Sequence, residues 1–203
     1  SKIALGILGL SEVIPAILLA LPAGVKVDQS NKQRLISLCI FLYLTIMLLM
    51  LLVTSNYFIL HVPKPAVEWS IYLLVCATGA VRAYSSPAFN AFLAQLVPQE
   101  ELVRAASVNS MAWLMAAVAG PAAGGLLLGY TNITTAFIIV CCMIFLSLLM
   151  MQKVKQKPVA YDPGKTKTWD SVKEGLEFVM NQKALLGSMT LDMFAVLFGG
   201  AVA

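Results

Sequence analysis

Three ionisable residues sit inside runs of otherwise apolar sequence: Glu12, Arg82 and Asp192. A charge at membrane depth costs several kcal/mol, so it faces a partner or a water-filled cavity. Glu and Asp can take up and release a proton. Arg stays protonated and cannot escape its burial by neutralising. A carboxylate beside a fixed guanidinium is therefore a candidate proton carrier, and equally a fixed ion pair that only specifies packing. The rest of the sequence offers little other chemistry. The single histidine, His61, has no carboxylate constellation around it. There is no paired-carboxylate motif, no glycine-rich phosphate cradle and no metal-ligand spacing, so neither an enzyme nor a bound metal or cofactor is expected. Cys39, Cys76, Cys141 and Cys142 lie in apolar runs and read as small hydrophobes.

Two glycine-containing segments have a mechanical reading. The polar stretch Ala23 to Arg34 contains Gly24, Asp28, Lys32 and Arg34. A carboxylate there can sit by the N-terminus of the following helix, where the helix dipole favours an anion. Asn31 can supply a left-handed turn. The second segment, Ala119 to Gly125, holds Gly120, Pro121, Gly124 and Gly125 in an uncharged run. Proline removes a backbone hydrogen bond and bends a helix, and glycines let a neighbouring helix approach closely. A generic small-residue helix interface would use the same residues.

These residues must be held by membrane-spanning helices. Of 203 residues, 60% are apolar and 12% charged, against roughly 25% charged in soluble domains. Mean hydropathy is +0.85. Such a composition excludes a disordered chain and a soluble globule. Six stretches approach the 20 or so apolar residues that a bilayer core demands: 3–23, 35–53, 69–97, 105–130, 133–151 and 184–203. With a rise of about 1.5 Å per residue, Glu12 falls roughly 13 Å and Arg82 roughly 20 Å from the outer ends of their helices. The two can meet inside a bundle. Asp192 falls roughly 12 Å in from the other side.

Lys and Arg in the connections set the orientation. Lys26, Lys32, Arg34, Arg104 and the seven lysines between 153 and 183 give one side 11 basic residues, and Lys2 and Lys64 give the other 2. The rich side is expected to be cytoplasmic, which accounts for the lysines without nucleic acid. The N-terminus is then outside, and a helix is expected before it. Residues 152–183 read as a cytoplasmic linker. Trp169, Val172, Leu176, Val179 and Met180 fall on one face of an amphipathic helix within it. The expected division is a transmembrane bundle over 1–151, the linker, and at 184–203 the first helix of a second bundle. No residue pattern specifies an oligomeric state.

The loop Gly24-x-x-x-Asp28-x-x-x-Lys32 resembles the cytoplasmic loop motif of the major facilitator superfamily. Gln29, Asn31 and Gln33 depart from its pattern. Gly120-Pro121-x-x-Gly124-Gly125 looks like the exporter signature on that family's fifth helix. The resemblance implies an all-α helix bundle, here covering helices two to seven, with Arg82 in the place of the fourth-helix arginine. Ser86-Pro87-Ala88-Phe89, Leu96-Val97-Pro98 and Leu191-Asp192-Met193-Phe194-Ala195 are similar to the branch holding enterobactin and macrolide exporters. What the family implies is a secondary transporter in the bacterial plasma membrane. It would exchange protons for a small molecule by alternating access. An importer or lipid transporter of the same fold is one alternative, and a non-transporting membrane protein another.

Overall fold

The computed structural model describes residues 2–154 and, beyond them, 180, 182, 186–188, 190–192 and 194. The chain divides into two compact units, Ser1–Tyr161 and Asp162–Ala203. The first unit is built from α1 (Lys2–Gln29), α2 (Lys32–Val53), a short α3 (Asn56–His61), α4 (Lys64–Leu96), a single 3-10 turn at Gln99–Glu101, α5 (Leu102–Tyr130) and α6 (Ile133–Lys153). Five of these helices are long and apolar enough to cross a membrane. Among the described residues there is no strand.

The first helix runs further than its apolar stretch. Residues 23–29, expected as a loop, continue α1 past Pro15 and Pro22. The reason is packing. Ala23 and Val27 are fully buried, and Val27 joins Ile36, Ala88, Phe92 and Met151 in one apolar cluster. The turn to α2 shrinks to Ser30 and Asn31. Asn31 is extended, at φ −67° and ψ 109°, rather than left-handed. Its side chain caps α2 by accepting from the Arg34 N–H. That corrects both the turn conformation and the residue expected at this helix end. Asp28 presents an exposed side chain from the last turn of α1, and its backbone carbonyl accepts from Lys32 Nζ at 2.9 Å.

Helix α2 is apolar on every face, yet only one stripe is used. Ile36, Cys39, Tyr43, Ile46, Met50 and Val53 turn inward, at alternating steps of three and four residues, as in a coiled-coil seam. They pack antiparallel on α4, with Met50 and Val53 beside Leu74 and Ile36 beside Ala88 and Phe92. Helix α1 runs parallel to α4, Glu12 lying against Gly79 and Val27 against Phe92. Helix α6 packs antiparallel on α2. Gln33 Nε2 donates to Met151 O at 3.2 Å and to Val154 O at 2.7 Å, tying the end of α6 to the start of α2.

The connection after α2 holds the unforeseen α3. Ser55 caps it by accepting from the Phe58 N–H, a favoured N-cap arrangement, and Phe58 packs on the α2–α4 core. Helix α4, with 33 residues, is about 50 Å long, well beyond the roughly 30 Å hydrocarbon core. Helix α5 buries none of its residues.

In the second unit, residues 186–188, 190–192 and 194 are helical, and Thr190 Oγ1 donates to Leu186 O at 2.6 Å. The amphipathic segment expected around Trp169 to Val179 lies outside the described residues.

Candidate functional site

The charged residues of α1 and α4 meet. Arg82 Nη1 donates to Glu12 Oε1 at 2.7 Å. Helix side chains lean toward their own N-terminus, so the Arg82 guanidinium reaches back along α4 to the level of Glu12. The pair is not sealed. The side chains are 64% and 37% exposed, respectively, and both line a cavity of about 960 Å³. Tyr43 on α2 lines the same wall, its hydroxyl 3.3 Å from Ser85 Oγ on α4. Asn90 from α4 and Ser147 from α6 add further polar groups, while Phe89 and Trp113 supply aromatic surface. Such a cavity, apolar with a few convergent polar groups, is what small-molecule sites are made of.

Tyr43, Ser85, Asn90 and Ser147 on that wall were missed in the sequence, as was Gly79 beside it. Tyr43 and Ser85 are unremarkable residues in apolar runs, and only the α2–α4 register makes them partners. Gly79 had a usable signal, being a residue without a side chain one turn before an intramembrane arginine.

The other expected site residues lie apart from the cavity. Lys32 is buried and Arg34 exposed, both at the start of α2. Gly24 lies within α1, and a Cβ there would meet nothing within 4 Å. The same holds at Gly120, Gly124 and Gly125. No described residue packs closely on that seam, although Trp113 of the same helix reaches the cavity wall. Asp192 belongs to the second unit and is exposed. Among the described residues no cluster of His, Cys, Asp and Glu has metal-binding geometry.

A family model described as Major Facilitator Superfamily matches residues 1–203. The chain belongs to the Major Facilitator Superfamily. With five helices of spanning length among the described residues, this member of the superfamily is an integral membrane protein. It is similar to two proteins of Bacillus subtilis (strain 168). One is named "Uncharacterized MFS-type transporter YfiS", 29% identical over 134 residues, which is 64% of this chain and 32% of that protein. The other is named "Uncharacterized MFS-type transporter YkuC", 24% identical over 197 residues, 92% of this chain and 43% of that protein. The chain thus spans less than half the length of these superfamily relatives. No solved structure matches it.

Proposed function

We propose that this chain is the greater part of one half of a secondary active transporter that exports a small molecule in exchange for protons. The observation that carries the reading is the Glu12–Arg82 pair at 2.7 Å on the wall of the cavity. An ion pair closed to water would be mere packing. One that opens to a cavity leaves its carboxylate open to a proton from water and to what binds beside it. Family membership supports transport, and so do the names of the two Bacillus relatives. Export is favoured by the Gly120-Pro121-x-x-Gly124-Gly125 signature, and the branch we favour is that of the enterobactin and macrolide exporters. Arg82 holds Glu12 in place, Glu12 carries the proton, and Tyr43, Ser85 and Asn90 hydrogen-bond the substrate. Asp192 is a second candidate carrier. The basic side of the bundle faces the cytoplasm of a bacterial plasma membrane.

The test uses inside-out vesicles containing the full-length protein, energised to an acidic lumen and reported by an acridine dye. Lipophilic cations, macrolides and catechol siderophores are added in turn. Export by proton exchange releases protons on addition of a substrate, and Glu12→Gln removes that release. Substrate movement into the lumen without proton release would overturn the coupling. Movement only in the opposite direction would make the protein an importer.

A further inference from the structure

The Glu12–Arg82 pair depends on how closely α1 approaches α4, and one residue stands at the point of closest approach. Gly79 is buried. A Cβ built on it would collide with the backbone carbonyl oxygen of Glu12. It would also lie 2.9 Å from the Glu12 carbonyl carbon and 3.0 Å from its Cα. Contacts that short with backbone cannot be relieved by turning a side chain, so the two helices would have to separate. At Gly6 and Gly24, in the same α1, a Cβ would meet nothing within 4 Å. The requirement for glycine is therefore local to Gly79. It lies one turn before Arg82, and it is the backbone of Glu12 itself that it accommodates.

We propose that Gly79 is a positioning residue: by having no side chain it seats the Glu12 backbone against α4 at the depth and distance from which the carboxylate reaches Arg82. The proposal builds on the role given above to the pair, but its test needs no transport. The titratable groups that share the wall with Glu12, among the described lining residues, are Arg82 from α4 and Cys39 and Tyr43 from α2. Among the described lining residues α5 and α6 bring no charged side chain to it. Arg82 is thus the one cation there whose distance from Glu12 the substitution changes.

A double-mutant cycle measures that dependence. Thermal midpoints of the purified full-length protein are compared for Glu12→Gln, Arg82→Gln and the double variant. The cycle is run with the natural Gly79, with Gly79→Ala, and with Gly24→Ala as control. Non-additive midpoints are expected in the natural and Gly24→Ala backgrounds, and additive ones in Gly79→Ala. A glycine needed only for packing would lower every midpoint and leave the coupling intact, and that result overturns the proposal. Should Gly79→Ala fail to insert, Glu12→Asp, one methylene shorter, decides the matter. If reach is as tight as the seam implies, the shorter carboxylate loses its coupling to Arg82. Retained coupling overturns the proposal in that arm. Absence of substrate-driven proton release from vesicles holding the unsubstituted protein, with a persistent cycle, would instead count against the transport reading alone.

Discussion

Gln33 shows how a single side chain can serve as a helix cap. Its amide N–H groups take two carbonyls from the last turn of α6, while its own Oε1 is buried without a partner. An unmet buried acceptor costs about 1–3 kcal/mol, and each hydrogen bond contributes about 0.5–1.5 kcal/mol, so the amide is a compromise. Gln33→Arg keeps the donors, removes the orphan oxygen and adds a cation at a helix C-terminus, where it stabilises by about 0.3–1 kcal/mol. Its expected effect is a higher thermal midpoint. Gln33→Glu, nearly the same shape, places oxygen against oxygen and should destabilise by about 2 kcal/mol or more. Equal midpoints for the two variants would mean that the amide is not the tie. The family's loop motif carries a basic residue at this position, so Gln33 was visible in the sequence as a departure. Its purpose was not, because its partners lie more than a hundred residues away.

At the scale of helices, the sequence announced which stretches span and concealed which faces meet. In α2 nearly every residue is apolar, and no periodicity separates the inward stripe of Ile36, Cys39 and Ile46 from the lipid side. In α1 the reading stopped at Ala23, because polar residues follow. The burial of Val27 against Phe92 carries the helix on, and no composition rule could anticipate that contact. Glu12 and Arg82 were legible, since a charge in an apolar run stands out wherever it lies, and depths of roughly 13 and 20 Å allowed their meeting without fixing it. Helix α5 is the opposite case. Its glycine and proline signature is plain in the sequence, yet a Cβ at Gly124 would touch nothing nearby. A Gly124→Leu substitution should therefore leave the first unit folded and inserted. Adding bulk to a tight helix contact costs about 1–3 kcal/mol, enough to bias two conformations if this seam closes on the other half of a full-length transporter. Normal levels in the membrane with export reduced at least tenfold are expected. Full export from a well-expressed Gly124→Leu protein would count against a moving seam.

The whole molecule has a polarity that impermeant labelling can read. Cysteines placed at Asp28, Glu101 or Lys165, in a background without the four native cysteines, should stay unlabelled in intact cells. Cysteines at His61 or Asn132 should label. Labelling at position 28 from outside would reverse the orientation assigned from the basic residues. The polar ties share this asymmetry. Lys32 holds the end of α1 and Gln33 the end of α6, both at one rim of the bundle. These two ties differ in when they can form. Lys32 finds its carbonyl four residues back, as soon as α2 begins. Gln33 must wait for Val154, 121 residues later, which at about 5–20 residues per second is roughly 6–24 s of synthesis. Until then the amide's tie is unmade, and α2 is held by its apolar stripe on α4 and the Tyr43–Ser85 contact. The arrival of α6 is what closes this tie, so the rim of the first unit gains its last long-range polar contact only when its final described helix is made.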